Sequence, residues 1–435
     1  MKQTFLIVLI LASFLGIHAQ IIGDYAITDI PEHLLENANS VIRYSEQTLE
    51  IKSKKEFITT EYLVVTIFEK DSPFSSNAAY YNQNSSVIKM EGRILDWSGT
   101  QVKKKTAKNA NDISTSDQST IADDSRVKVL EFDNTQLPYT IIWEIQTKHK
   151  GGKSYTPWFT IPRYNVAIQE SKHVILHPEG FKFNHRHYNN TPKETKDIYK
   201  KQQRITWEYN NLKAIKNESY SPNILDIFPH TQIYPIEFSF YGHEGSLQDW
   251  KSFGKFFSGL NKEHNDMSQT FKDELKEMTV SASSDKEKID IIYNYLQKNT
   301  RYVSVQLGIG GFKSFPASYV EKNKYGDCKA LSYFTKSMLD EVGIDAIPAI
   351  IQRSSTPFEV EDDFVYDRFN HILLYVPSED TWLECTSSDF PVGYIGQSNC
   401  NRKALLLTEN GGELKKTPII EKDLVQIEDK YTVHE

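Results

Sequence analysis

The chain is 435 residues long, more than a single hydrophobic core usually organises, so two or three domains are expected. A net charge of −8 with no extended basic stripe argues against nucleic acid as a partner, and 24 Tyr with 23 Phe favour strands. Charged and apolar contents of 25% and 39% are those of an ordinary globular protein.

The first residues, MKQTFLIVLILASFLGIHAQ, place Lys2 before an apolar run from Phe5 to Ile17 and small Ala19 beside a cleavage point, which reads as a signal peptide over residues 1–19. The chain is therefore expected to be exported, periplasmic or secreted. No cysteine stands near residue 20, which argues against a lipid anchor there, and no later run approaches the ~18 apolar residues of a membrane span. Export permits disulfides. The three cysteines leave at least one unpaired, and a Cys385–Cys400 pair would leave Cys328 as a free thiol.

Residues 20–240 read as an antiparallel, sandwich-like β-domain. Alternating segments such as EYLVVTIFEK, SVIKMEGRILDW, YTIIWEIQTKHK and RITWEYNN are separated by turn residues, with no long helical pattern between them. The polar stretch 105–126 reads as a long loop. His185 and His187 share one strand face, but without a third ligand nearby they do not make a metal site.

A second domain, 245–420, begins where the period becomes helical. Ser246 is a candidate cap for a helix carrying Trp250, Phe253, Phe256 and Phe257, and Ser284 with Glu287 has capping-box spacing ahead of Ile289, Ile292, Tyr293 and Leu296. A further helix starts at Cys328, buries Leu331, Phe334, Met338 and Val342, and stops at Gly343. Strand-like IDAIPAIIQ follows, then a hairpin turning over Pro377 to Asp380, so this half is α+β. Residues 421–435 read as the possible start of a truncated third, β-type domain.

A cysteine in the first turn of a helix feels the positive end of the backbone dipole, which favours the thiolate. Between His264 and His434 the chain has one histidine, His371, the local candidate for a base. If Val376 pairs with Thr381, position 373 faces 384, and His371 and Glu384 become diagonal neighbours on one strand face. Glu384 can then orient the imidazole, completing a nucleophile, base and acid set. Asp327 reads as the helix cap.

The order YGDCK on a helix, NH before an apolar strand, and TWLECT on the next strand resembles the transglutaminase-like superfamily, in particular exported bacterial proteins with a β-domain of unknown function before the core. The resemblance covers roughly residues 40–420 and implies a papain-like core with Cys328 as nucleophile, His371 as general base and acid, and Glu384 as orienting carboxylate. Such a site needs oxyanion donors, for which the Cys328 N–H and the Gln306 side chain are candidates. Two positions depart from the resemblance: Glu384 stands where relatives usually carry aspartate, and Ala330 where they often carry an acid.

The expectation is an exported cysteine enzyme that hydrolyses peptide or amide bonds through a thioester, acting on a peptide or protein substrate of the cell envelope or beyond, with no metal and no cofactor. Two alternatives stay open: a transglutaminase using an amine acceptor, and a scaffold protein with a vestigial triad. Neither the substrate nor the oligomeric state is legible in the sequence.

Overall fold

The computed structural model describes residues 25–115, 120–133, 136–262, 265–355 and 360–419. The segments read as a signal peptide and as the start of a third domain lie outside the described residues. The protein is α+β: a large β-rich N-terminal region leads into a region of helices followed by a second sheet.

The main N-terminal sheet has eight strands in the order 193–199, 202–212, 166–177, 40–53, 56–67, 139–149, 85–95 and 101–106. Its pairings are antiparallel except that of Ser40–Ser53 with Val166–His177, which is parallel. Val65 faces Ile141 and Phe57 faces His149 across one ladder, so these four share a face. Two three-stranded sheets cover that face. One brings Ala79 and Leu130 against Val65, Ile141 and Trp143, and the other brings Trp158 and Ile233 against Phe57, Ile175 and Trp207. This is the sandwich-like arrangement the alternating segments predict.

The polar stretch expected to be a loop over 105–126 instead contains short strands at Asn111–Ser114 and Thr120–Asp123. The first pairs with Arg126–Glu131 and the second runs parallel to Ser304–Gln306 from the far half of the chain. Side-chain polarity misleads here because strand formation is settled by backbone hydrogen bonds, and Asn111–Ser114 lies at a sheet edge with its side chains exposed.

The helices of the second half begin at Trp250, not after Ser246. Ser246 ends a short strand, and Asp249 caps the helix by accepting from the Ser252 N–H at 2.6 Å. After a helix Gln269–Thr279 that the sequence reading does not predict, Ser284 caps Asp285–Asn299, but Glu287 reaches back to Ser283 rather than to Ser284, so only half of the predicted capping box forms. The C-terminal sheet is antiparallel, in the order 381–383, 371–376, 347–351, 403–408 and 411–416. One face packs the helices through Leu374, Val376 and Leu383 against Leu331, Phe334 and Ile292, while Leu373, Tyr375 and Trp382 form a separate core on the other.

The two halves meet through buried chemistry. Lys153, beside the Gly151 turn, forms an ion pair with Asp367, and both side chains are under one-tenth exposed. Asp124 accepts from the Gly308 N–H at 2.8 Å and from the Gln83 N–H at 2.9 Å, tying the glycine-rich turn Gly308–Gly311 to the β-rich region. Among the described residues no helix is long and apolar enough to cross a membrane.

Candidate active site

The helix Cys328–Glu341 starts where Asp327, in extended conformation, accepts a hydrogen bond from the Ala330 N–H at 3.0 Å. The second Asp327 oxygen accepts from the Lys329 ammonium. Asp327 is thus occupied in capping, as its position before the apolar pattern predicts. A Cβ on Gly326 would lie 2.7 Å from that of Ala330, so the chain enters the helix only with small residues at both places. Ala330 is fully buried among Leu331, Val320 and Phe334, so this position belongs to the apolar core.

His371 opens the strand His371–Val376, and Thr381–Leu383 pairs back onto it in the register the hairpin predicts, with Val376 facing Thr381 and Leu374 facing Leu383. One step past the last paired residue, Glu384 comes beside His371, and the imidazole Nε2 donates to Oε2 at 2.8 Å. The pair is buried, with His371 8% and Glu384 2% exposed.

The electrostatics follow from that burial. Desolvation disfavours the charged imidazolium, but hydrogen bonds to Cys328 and Glu384 and the negative charges facing it outweigh that penalty and raise the His371 pKa to about 9. Burial likewise opposes the Glu384 carboxylate, yet hydrogen bonds from His371 and Thr386 hold its pKa below the usual carboxylate value. With Nε2 committed to Glu384, Nδ1 is the ring nitrogen left for the Cys328 thiol.

Several supports of Glu384 are not legible in the sequence. Thr386 donates its hydroxyl and N–H to Oε1 at 2.6 and 3.1 Å, Asn399 donates Nδ2 to Oε2 at 2.9 Å, and the Tyr293 hydroxyl donates to the Glu384 carbonyl at 2.8 Å. Asn399 is 1% exposed and stands on a short turn after the hairpin. No motif marks it, because an asparagine in QSNCN is indistinguishable from a surface turn residue until the fold closes.

A cleft of ≈ 390 Å³ opens over Cys328 and His371, with Gln306, Phe312, Tyr333 and Asn370 among its walls. Gln306 therefore shares the cavity of the thiol, at the end of the strand Ser304–Gln306. Glycine at 311 leaves room for it, since a Cβ there would lie 3.1 Å from the Gln306 Oε1. The GIGG sequence is thus part of the cleft wall.

The other cysteines are unlike Cys328. All three are free, so Cys385 and Cys400 do not form the disulfide that their sequence proximity allowed. Cys385 packs into the helix-side core and Cys400 into the core on the opposite side of the sheet, which separates them. Burial raises both thiols, Cys385 to about 12. Cys328, half-buried, is the cysteine that lines the cleft. His185 and His187 pack against Trp207, with ring centroids 4.8 Å away in each case, and no group of three His, Cys, Asp or Glu able to hold a metal occurs among the described residues.

Residues 54–216 match the model of a domain of unknown function with solved structures, DUF3857. The chain is similar in fold to a protein of Parabacteroides distasonis whose crystal structure is described as that of a "putative protease", with a TM-score of 0.62 and 16% identity over 88% of this chain and 72% of that one. A "putative nutrient binding protein" of Legionella pneumophila also aligns, over 70% of this chain and 94% of that one at 9% identity, but its TM-score of 0.24 is too low to bear on the fold. No curated protein matches the chain.

Proposed function

We propose that the protein is an exported cysteine acyl-transfer enzyme of the transglutaminase-like superfamily that cleaves peptide or amide bonds by hydrolysis. The observation that carries this reading is the buried His371, fixed by Glu384 at 2.8 Å on one ring nitrogen and coupled to the Cys328 thiol at a helix N-terminus, with an open cleft above. The three-member chemistry needs a nucleophile, a base that holds its proton and an acid that orients the base, and these residues supply each in order. Residues 20–240 and 245–420 are the proposed domains, and residues 1–19 the proposed export signal.

In the first step the Cys328 sulfur attacks the carbonyl carbon while the Cys328 N–H, which the first helical turn leaves without an intrahelical partner, faces the developing oxyanion. The Gln306 amide is the candidate second donor. The tetrahedral intermediate collapses to a thioester as the C–N bond breaks, and the His371 imidazolium gives its proton to the departing amine. Water, deprotonated by the neutral imidazole, then attacks the thioester, releasing a carboxylic acid and restoring the thiol.

The test is to incubate the protein with a peptide library and identify adducts on Cys328 by mass spectrometry, with a fluorescent primary amine present in half the samples. An acyl-enzyme that decays to free acid supports hydrolysis. Preferential transfer to the amine assigns a transglutaminase instead. If no adduct forms and His371→Ala leaves iodoacetamide alkylation of Cys328 unchanged, the protein is a binding module and the enzyme reading fails.

A further inference from the structure

A second cavity of ≈ 600 Å³ lies between the β-rich region and the glycine-rich turn. Phe312 lines both this cavity and the Cys328 cleft. Lys153, also on the wall of the second cavity, sets its buried ammonium 4.2 Å from the Phe312 centroid and 5.1 Å from that of Phe240. The cleft over Cys328, at ≈ 390 Å³, lies at the small end of ligand pockets, which run from about 300 to 1,000 Å³. A polypeptide whose scissile carbonyl reaches the thiol must therefore continue past its walls.

The chemistry of the second cavity is specific. Three ring pairs on its wall meet edge to face, Phe57 with Tyr155 at 4.9 Å and 82°, Phe240 with Phe312 at 4.8 Å and 85°, and Phe240 with Tyr241 at 4.7 Å and 79°, while Phe57 stacks on His149 at 4.3 Å. No carboxylate lines it, and the charge of Lys153 is balanced by Asp367. The one histidine on its wall, His149, is kept neutral by burial, which lowers its pKa to about 4. A charged side chain entering would meet amides and hydroxyls such as Asn84, Ser125 and Thr156 but no unpaired opposite charge, whereas an aromatic one would extend the ring cluster.

We infer that this cavity is a second subsite of the same enzyme, built by the β-rich region, which takes an uncharged aromatic side chain of the polypeptide whose scissile bond lies over Cys328. This rests on the acyl-transfer reading above, and it gives the N-terminal region a role in substrate selection.

The experiment measures binding first and turnover second, so that the two readings fail separately. Peptides carrying Phe, Ala or Glu at successive positions from the scissile bond are titrated into Cys328→Ala by calorimetry. The expected result is one position at which Phe binds at least about tenfold tighter than Ala or Glu. Thr156→Trp, which fills the cavity while leaving the Thr156 carbonyl free to accept from Gln47, removes that preference. Tyr80→Glu, at a rim ring 69% exposed and so harmless to folding, weakens it. Alkylation of Cys328 by iodoacetamide in the same variants, made with the cysteine present, stays at the wild-type rate. Equal binding of Phe and Glu peptides at every position overturns the inference, as does a Phe preference that survives both variants. Displacement by a neutral oligosaccharide with no aromatic preference also overturns it and assigns the cavity to glycan. Failure of wild type to form any acyl-enzyme, with the Phe preference intact, rejects the enzymatic reading and leaves an aromatic-peptide site.

Discussion

The His371 Nε2 lies 2.8 Å from the Glu384 Oε2, although 13 residues separate them and Glu384 stands just beyond the last ladder pair of its hairpin. Because Nε2 is engaged, the ring can turn only one nitrogen to Cys328. On the proposed mechanism, replacing His371 with Ala removes both the base and the charge facing the thiol. Turnover is expected to fall by roughly 10³-fold or more, and iodoacetamide alkylation of Cys328 at pH 6 by about tenfold. Cys328→Ala is expected to abolish the proposed acyl-enzyme altogether, read by intact-protein mass spectrometry.

The raised His371 pKa ties stability to pH. Its folded value of about 9 lies above the ordinary value of 6.5, so the folded state holds this proton more tightly than the unfolded chain. The resulting stabilisation is fully present below about pH 6.5 and disappears as pH rises towards 9, amounting to roughly 3 kcal/mol at its full extent. Urea denaturation of wild type and His371→Gln at pH 6, 7.5 and 9.5 checks this. The wild-type advantage should shrink across the series, and a constant difference contradicts the assignment.

Asn399 is predicted to be a positioning residue. It touches Glu384 rather than the cleft, so Asn399→Ala leaves a buried carboxylate oxygen short of one donor while Cys328, His371 and Glu384 all remain. The expected outcome is a shifted pH profile of kcat with KM little changed, and partial recovery in Asn399→Gln. A purely structural role would lower the amount of folded protein and leave the profile of the remainder where it was.

Ala330→Asp is expected to destabilise the protein by roughly 2–4 kcal/mol. The residue is fully buried, Gly326 stands against it, and the surrounding side chains offer no partner for a carboxylate. The midpoint of urea unfolding measures the effect. A variant as stable as wild type shows that the pocket can accommodate an acid.

Lys153→Met leaves the buried Asp367 carboxylate without its cation and should cost roughly 3–5 kcal/mol, while Lys153→Met combined with Asp367→Asn should recover much of the loss. A double-mutant cycle by urea unfolding separates the pair's coupling from lost packing. Asp367 lies four residues before His371, so the cycle also measures how firmly the β-rich region supports the cleft.

Periodicity alone determined most of the local structure. The spacing of Leu331, Phe334, Met338 and Val342 defined the Cys328 helix, and the four-residue turn after Val376 set the hairpin register that places Glu384 beside His371. Both follow from short-range rules, 3.6 residues per turn and alternation across a strand, and need no distant partner. Tertiary structure decided what depends on contacts between remote segments. The strands within 105–126 exist because Thr120–Asp123 finds Ser304–Gln306, and the Cys385–Cys400 pair fails because a sheet stands between the two thiols. The fourfold hydrogen bonding of Glu384, the join of Lys153 to Asp367 and the wall that Phe312 shares between two cavities likewise arise only when the chain closes. Buried polar groups must find partners, and which partners come within reach is a property of the packed whole.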